Sequence, residues 1–188
     1  MSERFSALAG LPDRSNDAAG VIISELCPAA LFQVTFWPDN LSEALPLLEQ
    51  KTGIKPEPVG RFAERDGTML ISLSPGRFIV LAAREDLLEP VREALAGNAI
   101  TDLGHARTVL HASGPSLVQV LAKGLAVDLH EAAWPAGHHV QTMLDHMDVL
   151  ILRKQDGFAI SVFRGFAVSL AEWLIDASEE FGIAFRHG

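Results

Sequence analysis

Two stretches of the chain read alike: "GRFIVLAAREDLLEPVREAL", residues 76–95, and "GFAISVFRGFAVSLAEWL", residues 157–174. In each, a glycine opens a short apolar run that passes almost directly into a segment with apolar residues at helical spacing. The runs are brief and rich in Ile, Val and Phe, which favours strands over helices. In the segment after the first run, Leu87, Leu88, Val91 and Leu95 share one helical face, and Gly97 closes it. After the second, Phe166, Leu170, Trp173, Leu174, Ala177 and Phe181 form the stripe, and Gly182 ends it. A strand feeding an amphipathic helix twice, with the same punctuation, predicts an internally duplicated chain.

The flanking sequence extends both copies. "LFQVTFWP" (31–38) reads as a strand, because the residue before a proline is held extended. In "NLSEALPLLEQKTG" (40–53), Leu41, Leu45 and Leu48 recur at helical spacing. Asn40 with Glu43 predicts a capping box, Gly53 a stop, and Pro46 a kink or a delayed start. "TMLISL" (68–73) and "RFIVLAA" (77–83) are strands joined through "SPG". The second copy offers a strand at "RTVLHAS" (107–113), a short helix at "SLVQVLAKG" (116–124), and strands at "HHVQTML" (138–144) and "DVLILRK" (148–154). The predicted fold is α+β: duplicated strand–helix–strand–strand–helix units, with antiparallel sheets covered by helices. Residues 1–20 are expected to be a flexible N-terminal arm. Residues 21–188 are expected to be a single α+β domain of two similar halves, about 31–97 and 107–182.

Composition narrows the function. The 24 acidic and 15 basic residues leave a net charge of -9, which repels phosphate backbones and argues against nucleic acid. Cys27 is the only cysteine, so neither an internal disulfide nor a multi-cysteine zinc site is available. "MSERFSALAG" lacks the apolar core of a signal peptide, and no run approaches the length of a membrane helix. A soluble, cytoplasmic protein is expected.

Candidate chemistry is sparse. Glycine-rich phosphate loops and a G-x-S-x-G elbow are missing from the sequence. In "SGPS" (113–116), Ser113 and Ser116 could serve as nucleophiles, although Ser116 also suits the first turn of a helix. His138 and His139 are neighbours whose side chains would leave a strand on opposite faces. His138 and His146 could instead meet across a hairpin turning near Asp145; with Asp148 they would make a two-histidine, one-carboxylate metal site for a hydrolase. His130 and Glu131 follow Asp128 as loop residues. Arg153 and Arg164 each end a strand and could pair with a carboxylate or an anionic ligand. Cys27 lacks an activating base nearby in sequence and reads as an inert thiol.

From about residue 100 to 182 the chain resembles the gamma subunit of heterotetrameric sarcosine oxidase. The run is carried by "DLGHAR" (102–107), "SGPS" (113–116), "LAKGLAVDLH" (121–130), "WPAGHHVQT" (134–142) and "FRGFAVSLAEWL" (163–174), in this order. Residues 1–100 match more loosely, through "LSPGRFIVLA" (73–82) and the preceding helix. The resemblance implies the fold of the folate-binding T-protein of glycine cleavage. It further implies a non-catalytic structural and interaction subunit, partnered by alpha, beta and delta subunits, in a complex that oxidatively demethylates sarcosine. FAD, FMN, NAD and zinc would sit on the other subunits, with tetrahydrofolate as one-carbon acceptor, and this chain would carry neither cofactor nor metal. A folate-binding module of T-protein type is the alternative, with Arg164 and Thr142 as first candidates for contacts. A subunit of a related N-methyl amino acid dehydrogenase or oxidase is another. The family's K-G-C is Lys123-Gly124-Leu125 here, which excludes a thiol role at that position. Its R-S is Arg164-Gly165, its F-P is Trp134-Pro135, and it asks for no metal at His138 or His139.

Overall fold

The structure, a computed structural model, describes residues 6–16 and 18–187. Its strands are β1 (Val21–Leu26), β2 (Ala30–Thr35), β3 (Phe62–Arg65), β4 (Thr68–Ser74), β5 (Arg77–Ala82), β6 (Ala99–Asp102), β7 (Arg107–Ser113), β8 (His139–Leu144), β9 (Met147–Lys154), β10 (Gly157–Phe163) and β11 (Ile183–Arg186). The helices are α1 (Leu41–Thr52), α2 (Leu88–Ala94), α3 (Leu117–Leu121) and α4 (Ala167–Ser178). The chain folds as two compact units: a continuous one, Pro28–Gly104, and one combining the segments before and after it. The division differs from the expected single domain because β1, which precedes the first half, pairs with β7 and β11 of the second.

The duplication is visible in the sheets. The continuous unit orders its strands β3-β4-β5-β2-β6, and the discontinuous unit orders its own β8-β9-β10-β7-β1-β11. In both, a three-strand meander lies beside the first strand of its own repeat, so β3, β4, β5 and β2 correspond to β8, β9, β10 and β7. Each meander's last strand runs through a single 3-10 turn, Glu85–Leu87 or Arg164–Phe166, into a helix. All pairings are antiparallel except β1 with β11, which is parallel. The first repeat is therefore longer than predicted, gaining β3 at the start of its meander, where the second repeat has the predicted β8, and each repeat gains a strand after its last helix, β6 or β11.

Each unit has its own core. Phe32, Val34 and Phe36 pack with Leu48, Val80 and Val91 in the continuous unit. Leu110, Ile151 and Ile160 pack with Leu121, Leu170 and Leu174 in the other. The inner strands β4, β5, β9 and β10 read as apolar runs because both of their faces are buried: Leu70 and Ile71 are neighbours, and neither is exposed.

Local chemistry explains most boundaries, with two corrections. Gly53 ends α1 at φ 70, as expected, and its N–H bonds Glu49 O at 2.8 Å. The Asn40 capping box does not form; a 3-10 turn at Pro38–Asn40 leads into α1, and no side chain caps it. Pro46 lies inside the intact helix. The described part of the expected arm is docked rather than loose: Leu8 is fully buried in the core, and Arg14 bridges Phe185. An apolar plug and a backbone bridge outweigh the turn-forming residues around them.

Candidate functional site

The histidine-rich hairpin does not assemble a metal site. β8 and β9 meet at a tight turn on Asp145 and His146, with Leu144 opposite Met147. His138 stands at the other end of the ladder, where Arg153 N donates to its carbonyl at 2.9 Å. Six residues of strand, about 20 Å, separate His138 from that turn. His138 Nδ1 instead lies 3.0 Å from Pro135 O, while His139 is buried. Among the described residues no group of three or more His, Cys, Asp or Glu could hold a metal ion.

The serines lack a base. Ser116 opens α3, and its N–H donates to Gly20 O at 3.0 Å; among the described residues neither its hydroxyl nor that of Ser113 is hydrogen-bonded to a histidine. His130 N and Asp128 close a turn at 2.9 Å, and Glu131 is exposed beside it. Cys27 is exposed.

Of the two strand-end arginines, Arg153 is a structural clasp. Arg153 Nη1 donates to Leu129 O at 2.7 Å, and its guanidinium lies 5.3 Å from the Phe158 ring centroid. It pins the loop between α3 and β8 onto the sheet, beside Trp134, whose ring packs 5.6 Å from Phe158. Arg164 follows β10, and its N–H donates to Ala106 O at 2.8 Å. Thr142 pairs with Val149, which pairs with Val162, so Thr142 and Arg164 share one end of the sheet, two strands apart, at about 10 Å.

At that end lies a feature the sequence did not single out. Arg107 pairs in register with Phe163, and its guanidinium stacks 4.4 Å from that ring's centroid. Its Nη1 reaches Ser161 Oγ at 3.5 Å. Burial pulls the Arg107 guanidinium below its ordinary pKa, and it remains charged at neutral pH. Phe163 itself is 46% exposed. Stacked on that ring, the Arg107 guanidinium is a fixed cation, unsuited to proton transfer. The signal available in sequence was the even spacing of Arg107, Val109 and His111 along β7, parity that places Arg107 on one sheet face with Ser161 and Phe163.

The remaining motif residues are joints. Lys123 Nζ donates to Ala177 O at 2.6 Å, ion-pairs with Glu180, and lies over the Phe181 ring. Next to it, a Cβ on Gly124 would sit 2.5 Å from Trp173 Cζ2, so "KG" and "EWL" fit as lock and key. Gly114, at φ +115, approaches Gly20 O too closely for any side chain. Other concavities are solvent-facing: a cavity of about 340 Å³ lined by Lys51, Arg65 and Arg84 has Arg65 on the Gly53 carbonyl and Arg84 on Asp86.

The model of the sarcosine oxidase, gamma subunit family matches residues 65–180. The chain belongs to the sarcosine oxidase gamma-subunit family. A chain of the heterotetrameric sarcosine oxidase from Corynebacterium sp. U-96, solved with pyrrole 2-carboxylate, superposes on it with a TM-score of 0.84 at 27% identity, covering 96% of this chain and 97% of that one. The glycine cleavage system aminomethyltransferase T of Bartonella henselae superposes at 0.65 and 21% identity over 89% of this chain and 48% of its own, a likeness of fold. Among curated protein sequences none matches. For this gamma-subunit-family chain the departure at Leu125 has a packing reason: Leu125 is buried and bridges Leu144, so an apolar side chain fills a core position there.

Proposed function

We propose that this chain is the non-catalytic gamma subunit of a heterotetrameric sarcosine oxidase, assembled with alpha, beta and delta subunits. The observation that carries the reading is the end-to-end likeness, at a TM-score of 0.84, to a chain of such an enzyme. The site geometry supports it. Motif residues that would be candidates for chemistry are engaged as clasps: Arg153 on Leu129 O, Lys123 on Ala177 O, and Gly124 under Trp173. In this reading FAD, FMN, NAD and zinc reside on the other subunits, tetrahydrofolate accepts the one-carbon unit there, and this chain holds none of them. No described helix is long and apolar enough to cross a membrane.

Two assays test the proposal. The purified chain alone should not turn over sarcosine, with or without added flavin and folate, and calorimetry with tetrahydrofolate should show no binding heat. Turnover by the isolated chain would overturn the non-catalytic reading. Saturable folate binding would move the chain to the class of T-protein-like folate modules.

A further inference from the structure

The six-stranded sheet stops at β11, and a sheet edge presents unpaired backbone groups to any strand that passes. In a strand paired on one side, alternate residues turn their N–H and C=O outward. Here Phe185 and His187 do so, and both meet residues of the N-terminal segment. Arg14 N donates to Phe185 O at 2.9 Å and Phe185 N to Arg14 O at 2.8 Å. His187 N donates to Asp13 Oδ1 at 3.1 Å, and the same carboxylate oxygen lies 2.9 Å from His187 Nδ1. The Arg14 side chain reaches Glu179 at 3.8 Å.

The segment is anchored at both ends. Leu8 is buried completely on one side, and on the other Gly20 N donates to Phe181 O at 2.9 Å. Between the anchors it makes one isolated bridge and no strand. A further strand would only have moved the open edge outward. A single bridge occupies the outward groups of Phe185 and then turns away.

We propose that residues 13–16 are an edge guard for β11, and that the occupant they exclude is a second copy of this chain. Ile183–Arg186 is self-complementary for that purpose. A two-fold antiparallel pairing centred on Phe185 would oppose Phe185 to itself and Arg186 to Ala184, with no like charges facing each other. The same Phe185 groups that Arg14 occupies would make that contact, so guard and second copy compete for one edge.

The test is made on the full-length chain with Arg14→Pro, which removes the N–H donated to Phe185 while keeping the Leu8 anchor. Amide exchange at Phe185 and His187 should accelerate roughly tenfold or more, with β7 and β10 still protected. Sedimentation should show a concentration-dependent dimer that the unaltered chain and Arg14→Ala, which retains the N–H, form more weakly. Asp13→Ala is the milder companion if Arg14→Pro does not fold: it frees only His187 N–H and should give a smaller rise in both readouts. Faster exchange without more dimer overturns the guard role. Unchanged exchange at Phe185 and His187 overturns the view that this segment covers the edge.

Discussion

The two units share one plan and close it differently. In Pro28–Gly104 the repeat's own last strand, β6, pairs with its first strand, β2, and the sheet ends with local sequence. In the other unit that position is taken by β1, and the repeat's last strand, β11, is displaced one place outward into a parallel pair. One unit is built from consecutive residues, whereas the other is sewn from both ends of the chain. Their helices differ in the same sense. α2 is a short helix whose one buried residue is Val91, while α4 runs Ala167–Ser178 and buries Leu170, Ala171, Leu174 and Ile175. The family motifs that guided the sequence reading lie mostly in the sewn unit.

The glycines that open the two echoed segments give the largest contrast. A Cβ on Gly157, at φ +143, would sit 2.2 Å from Ala112 O, whereas one on Gly76, at φ +72, would meet Phe36 O at 3.3 Å. Gly157→Ala is expected to lower stability by about 3–4 kcal/mol in urea unfolding, adding a glycine-only backbone angle to a clash. Gly76→Ala should cost only about 1–2 kcal/mol. Equal losses would break the contrast between the units. The helices come next: Leu174→Ala should cost about 2–5 kcal/mol, and Val91→Ala about 2 kcal/mol, because less volume is deleted from the smaller core.

The smallest expected effect lies in the continuous unit. The Arg84 guanidinium, hydrogen-bonded to Asp86, holds that carboxyl below its ordinary value. A depressed folded-state pKa contributes stability above the unfolded value of about 4. That contribution is lost as pH falls through the folded pKa. The pair lies on the surface, so Arg84→Ala should raise the Asp86 pKa in an NMR titration while leaving the urea midpoint unchanged.

The inner architecture was legible because it is local. The echo of 76–95 in 157–174 located β5, α2, β10 and α4, and Gly53 located the end of α1. What escaped were partners distant in sequence: β1 against β7, β11 against β1, and Leu8 in a core formed mainly by residues after 104. Short strands such as β3 and β6 carry too few apolar residues to announce themselves. The site followed the same rule. His138 and His146 are close in sequence but lie at opposite ends of a hairpin, while Arg107 and Phe163 are far apart in sequence and stack. Periodicity reports which face a residue occupies, and only strand pairing reports which residues share it.

Native mass spectrometry of the chain co-expressed with the proposed alpha, beta and delta partners tests the central claim most directly. The account predicts one complex that contains this 20.3 kDa chain alongside the other three. A sarcosine-oxidising assembly of the other three, with this chain left free in the same spectrum, would contradict it.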